Sequence, residues 1–236
     1  MISLSRRCRK FLVTANGAFD NPKFPGIPGI EKFKGKQLHT SQWDYEISGG
    51  DTERNLTKLQ DKRVGVIGTG ATGIQIIPQL GKWSKELYVF QRTPSSVDIR
   101  NNRPTDSEWF KSQGEGWQRA RMDNFASIRS GHEVNQDLVN DGWTGALQSL
   151  TGWFGQSKTG HHASDTPEEK ANALQMADFK KMESIRKRVD QIFQDPDTAQ
   201  ALKPYFNTFC KRPCFHDDYL PTFNRPSVRD KKYLVK

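Results

Sequence analysis

Long apolar runs are missing from this 236-residue chain: none approaches the roughly 20 residues of a membrane-spanning helix, so no span is expected. Apolar residues make up 34% of it, low for a compact domain, and its mean hydropathy is −0.80. That poverty points to exposed surface, polar insertions or faces meant to be covered. Cysteine is scarce too. Cys8, Cys210 and Cys214 have neither a disulfide framework nor metal-ligand spacing, so no metal site is expected. The same scarcity makes a reducing, cytoplasmic location the expectation. The first residues, MISLSRRCRKFLV, lack the apolar core of a secretory signal and read as a charged entry into a strand. Acids are outnumbered, 27 against 36 basic residues, for a net charge of +9. The excess is scattered and no nucleic-acid motif accompanies it, so the charge better suits a phosphorylated cofactor than a nucleic-acid partner.

What is present has a clear order. Phe11-Leu12-Val13-Thr14 reads as a short strand ending at the Asn16-Gly17 turn signal. A connector rich in proline and glycine follows, AFDNPKFPGIPGIEKFKG. From Lys62 the run KRVGVIG has strand length. ATGIQIIPQLGKW spaces Ile74, Ile77 and Leu80 near a helical period, with an end near Gly81 and a kink at Pro78. ELYVF, residues 86–90, is a second strand, and the three pieces make a βαβ unit. Past Pro94 the chain turns polar. DSEWFKSQGEGWQRARMDNF and EEKANALQMADFKKMESIRKRVDQIF read as helices, the second with a start signal at Ser164-Asp165-Thr166-Pro167. The region between, GWTGALQSLTGWFGQSKTGHH, reads as loop, and the final YLVK as strand.

Gly68-Thr69-Gly70-Ala71-Thr72-Gly73 fits G-x-G-x-x-G between a predicted strand and a predicted helix. The chemistry needs those residue types. Gly68 permits the tight turn, Gly70 lets the backbone approach a pyrophosphate, and Gly73 lets helix and strand pack closely. The helix start then offers unpaired N–H groups to the anion, and Gln75 follows in its second turn. An NAD site carries an acid about 20 residues further on, to bond the ribose 2′-hydroxyl. Gln91-Arg92-Thr93 stands there instead. An acid would repel a 2′-phosphate, whereas arginine pairs with it, so NADPH is the expected cofactor.

Four further stretches carry a resemblance. Phe33, Gly35, His39 and Trp43 match F-x-G-x-x-x-H-x-x-x-W, and FPGIPGIEKFKG, VFQRTP and KRPCFHDDYLPTFNRPSV follow in order around the glycine turn. Together they resemble the type I Baeyer–Villiger monooxygenases, within the flavin-containing monooxygenases. The resemblance implies that NADPH reduces bound FAD, which activates O2 for insertion into a ketone, giving an ester or lactone, or for transfer to a heteroatom. It implies Arg212 as the catalytic arginine and Lys211 beside Arg92 and Thr93 at the 2′-phosphate. Phe33, Gly35, His39 and Trp43 would form a linker with a structural and gating role. The family's first glycine turn, which binds FAD, has no counterpart here.

The implied fold class is α/β: a Rossmann-type parallel sheet forming an NADP-binding domain with a helical insertion, plus remnants of an FAD-binding domain. Residues 1–50 would hold the last FAD-domain strand and the linker. Residues 51–210 would form the NADP(H)-binding domain, with its insertion at about 100–200, and residues 211–236 would return toward the FAD domain. The chain is then expected to be an incomplete, inactive part of such an enzyme that needs a missing FAD-domain segment. The alternative is a stand-alone NADP(H)-binding module without oxygenase activity.

Overall fold

A computed structural model describes residues 11, 13–15, 17, 21–52, 55–151 and 166–232. Phe11 and Val13 are exposed and, with Thr14, lie outside any strand, which corrects the strand expected there. A strand persists only in a hydrogen-bonded ladder, and the described sheets begin at Arg63. The connector carries short 3-10 turns at Ile30–Lys32 and Thr40–Gln42, then one helical turn, α1 (Tyr45–Ser48), capped by the Asp44 side chain.

The central unit follows from apolar patterning. β1 (Arg63–Ile67), α2 (Ala71–Trp83) and β2 (Glu86–Gln91) form the expected strand–helix–strand, with β1 and β2 parallel and Val64 opposite Leu87. Ile74, Ile77 and Leu80 lie buried on one face of α2, against Leu87 and Val89 of β2. The helix runs unbroken through Pro78 and closes two residues beyond the expected end, where Ser84 N–H donates to Leu80 O at 2.9 Å.

The two-residue strand β3 (Val97–Asp98) leads into the insertion. There α3 (Ser107–Ser112) and α4 (Trp117–Arg129) divide one predicted helix, because Gly116 adopts φ +81° between them. The stretch read as loop begins instead with α5 (Gly142–Thr151). Asp141 starts it, its Oδ1 accepting from the N–H groups of Trp143 and Thr144. The remainder of that stretch, from Gly152, lies outside the described residues, as does YLVK.

The long helix α6 (Pro167–Ile192) matches its predicted start: Thr166 and Glu169 exchange side-chain and backbone hydrogen bonds in a capping box. It buries Met182, Ile185 and Val189. Then come α7 (Pro196–Leu202), β4 (Cys214–Phe215), α8 (Tyr219–Thr222) and β5 (Val228–Lys232). β5 pairs in parallel with β2, giving a sheet ordered β1-β2-β5, so the segment from residue 211 contributes to the same sheet as the glycine turn. β3 and β4 form a separate parallel pair. The architecture is α/β.

Candidate functional site

The site begins where β1 ends. Gly68 turns at φ +101°, a conformation that side chains strain to adopt, while its N–H donates to Phe90 O at 2.9 Å and so holds the turn to β2. Gly70 caps α2 with no side-chain acceptor, and the N–H groups of Ala71, Thr72 and Gly73 have no partner within the helix. A Cβ placed on Gly70 would meet nothing within 4 Å, so the backbone there is open to an approaching group. On Gly73 it would stand 2.5 Å from Gly68 O. The two glycines therefore do different things: one keeps a cradle open and the other lets the turn close on its helix.

The turn is also braced from behind. Thr69 is buried, its Oγ1 donating to Gln91 Oε1 at 3.4 Å, and Ser95 Oγ donates to the Thr69 carbonyl. Gln91 Nε2 reaches Ala201 O on α7 at 3.1 Å. These contacts fix the turn against the end of β2, where the chain continues into Arg92 and half-buried Thr93. Arg92 is exposed. Burial, and then the Arg92 guanidinium, pushes the Lys211 ammonium below its ordinary value, so the two cations from distant segments lie within electrostatic reach of each other. No ion pair occupies Arg92, Lys211 or Arg212 among the described residues, and the Lys211 ammonium sits 4.9 Å from the Phe206 ring. An unneutralised cationic pair beside an open glycine turn is a place for a phosphate.

The other expected residues are less closely gathered. Gln75 is exposed on α2 and bonds back to Ala71 O at 2.8 Å. Arg212 is exposed beside Lys211. In the fingerprint loop, Trp43 packs on the core and donates its Nε1 to Ser48 Oγ at 2.9 Å, while Ser48 is fully buried. His39 caps the Thr40–Gln42 turn, its Nδ1 accepting from Ser41 N–H at 3.3 Å, with its ring edge-on to Phe24. Phe33 is exposed and covers Gly35, whose Cβ would stand 2.5 Å from the ring. Ser48 and Ser95, which hold Trp43 and the glycine turn, escape sequence reading because a serine's bonding partner leaves no local pattern.

A cleft of about 560 Å³ lies elsewhere, between residues 100–109 and 138–141, and none of the expected site residues lines it.

Residues 10–107 match the flavin-binding monooxygenase-like family model. Over 219 residues, 93% of the chain, it is 55% identical to the Baeyer–Villiger monooxygenase ATR8 of Stachybotrys chlorohalonatus and covers 35% of that protein. Over the same share it is 52% identical to neopentalenolactone D synthase of Streptomyces avermitilis, covering 36% of it. Among solved structures, the polycyclic ketone monooxygenase from Thermothelomyces thermophila aligns with a TM-score of 0.75 at 44% identity, over 89% of this chain and 34% of that one. A crystal structure of OTEMO in complex with FAD and NADP aligns at 0.62 and 27% identity, over 89% of this chain and 39% of that one. The chain thus spans about a third of the length of the curated relatives it matches.

Proposed function

We propose that the chain, which resembles the flavin-binding monooxygenase-like family over residues 10–107, supplies the NADP(H)-binding part of an NADPH- and FAD-dependent Baeyer–Villiger monooxygenase. Such an enzyme inserts one oxygen atom from O2 into a ketone, giving an ester or lactone, or adds it to a heteroatom. The observation that carries this reading is the joining of an open glycine turn to an unneutralised pair, Arg92 and Lys211.

The residues present fit NADP(H). The helix N–H groups behind Gly70 would receive the pyrophosphate, and the lack of a side chain at Gly70 lets it come close, while Gly68 and Gly73 let the turn close on its helix. Thr69, Ala71 and Thr72 complete that turn, with Gln75 exposed one turn behind it. Arg92, Thr93 and Lys211 would bind the 2′-phosphate and so select NADPH over NADH. Arg212 offers an exposed guanidinium to offset negative charge during the reaction. Phe33, Gly35, His39 and Trp43 lie on the connector that leads to the glycine turn, and the family resemblance implies a gating role for them. FAD is different. The 236 residues carry one G-x-G-x-x-G turn, so a second dinucleotide finds no second glycine cradle in them.

In this reading residues 1–50 provide the connector and residues 51–210 bind NADP(H), with Lys211 and β5 of the segment 211–236 joining the same unit. Cys210 and Cys214 are free thiols, as suits a reducing intracellular compartment. Among the described residues no helix is long and apolar enough to cross a membrane.

The test is a titration of the chain with NADPH and with NADH, repeated for Arg92→Asp. Removing the cation and adding an acid should weaken NADPH by about a hundredfold while leaving NADH nearly unchanged. Equal loss for both would remove the 2′-phosphate assignment.

A further inference from the structure

Arg92 and Lys211 repel one another, so their nearness has to be imposed by something else. The β3–β4 ladder joins the two segments that carry them. Val97 pairs with Cys214 and Asp98 with Phe215, and the ladder is closed by Cys214 N–H to Ser96 O at 3.2 Å and His216 N–H to Asp98 O at 2.9 Å. Both strands run the same way, so the residues that precede each lie at the same end. Arg92 and Thr93 precede β3, and Lys211 and Arg212 precede β4.

The insertion helix grips this ladder from the side. Lys181 of α6 forms an ion pair with Asp98, both side chains being 20% exposed. About two turns further along the same face, Arg188 donates from Nη1 to Val97 O at 3.0 Å. Burial lowers the Arg188 guanidinium below its ordinary value, opposed by Asp98 and Asp217. Asp98 Oδ1 in turn accepts from Ile99 N–H at 2.8 Å. Partly buried ion pairs do little for stability by comparison with apolar packing, but they fix one arrangement among many. Here the fixed arrangement is that of two strands whose leading residues form the cationic pair.

We propose that Lys181 and Arg188 are positioning residues for cofactor recognition: from α6 they hold the β3–β4 ladder, and through it Arg92 and Lys211, at the spacing a 2′-phosphate requires. The inference rests on the NADP(H) reading above and deepens it. Neither residue touches the cofactor. The glycine turn, braced by β2 and Ser95, does not depend on them.

The experiment compares NADPH and NADH affinity, by quenching of tryptophan fluorescence, in the 236-residue chain and its variants. Lys181→Met should weaken NADPH about tenfold through displacement of the pair, with NADH affinity unchanged, and Lys181→Arg should restore most of the loss. Asp98→Asn keeps the side-chain shape and the bond to Ile99, removes the charge, and should reproduce the Lys181→Met result. It guards against failure of Lys181→Met to fold. Folded variants that keep the full NADPH preference, or that lose both nucleotides equally, overturn the proposal. A wild-type chain with no NADPH preference would instead overturn the underlying cofactor assignment, which the same titration reads separately.

Discussion

The carbonyl oxygen of Gly68 lies 2.5 Å from where a Cβ on Gly73 would stand, so the first and last glycines of the turn meet backbone to backbone. Neither can retreat without opening the turn. Gly73→Ala should therefore destabilise the fold by about 1–3 kcal/mol, the usual effect of overpacking a closed contact. Gly70→Ala is the opposite case, since its Cβ enters open space at an ordinary φ of −71°. It should leave thermal stability unchanged and weaken NADPH, because the methyl occupies the approach to the helix N–H groups. Thermal melts and nucleotide titrations on the two variants separate these effects.

Ser95 supplies the hydroxyl that holds the Thr69 carbonyl. With Ser95→Ala the turn loses a brace without losing packing. About 1 kcal/mol of lost hydrogen bonding corresponds to roughly fivefold weaker binding of both NADPH and NADH, since the pyrophosphate seat is shared. Titrating both nucleotides checks that the loss is equal.

Asp217 gathers three backbone donors, accepting from the N–H groups of Arg100, Asn101 and Asn102 at 2.9–3.0 Å. Burial pushes its carboxyl up, but these bonds and Arg188 outweigh that, and the folded value falls below the ordinary 3.8. A depressed carboxyl contributes stability that is fully present above pH 3.8 and disappears as pH falls through the lower folded value. Melting temperature should drop on acidification through that window. Asp217→Ala should lower stability near neutrality by about 1.5–3 kcal/mol and flatten the acid response. Melting curves at several pH values read both.

Trp43 joins the connector to the core through its ring and through the bond to Ser48. Trp43→Phe keeps an aromatic ring and removes the donor, which should destabilise by about 1 kcal/mol, whereas Trp43→Ala should destabilise by about 3–5 kcal/mol. Urea unfolding followed by circular dichroism distinguishes the two.

The parts of the fold that sequence reveals are those whose causes are local. The glycine turn, β1, β2 and the start of α6 each announce themselves through residues that touch their near neighbours in the chain. α5 does not, and the reason lies in Gly142. In a glycine-rich stretch it reads as loop, yet a Cβ there would stand 2.5 Å from the Phe215 ring and 2.6 Å from Ile99 O. The glycine marks a close approach between helix and ladder. The Arg92–Lys211 neighbourhood was legible only through resemblance, and its scaffold was not legible at all, because two-residue strands carry no periodicity and Lys181 looks like any other basic residue on a polar helix.

The ladder that aligns the cationic pair also has a bearing on how the molecule comes to be folded. Its flank is closed by Asp217 reaching Arg100 across 117 residues of chain, whereas the glycine turn closes within one βαβ unit. Closing the longer loop loses more chain entropy and has to await the insertion helices that offset it. On the proposed cofactor reading, the pyrophosphate seat can thus form early and the 2′-phosphate grip late. A refolding population should recognise a dinucleotide before it can tell which one it holds.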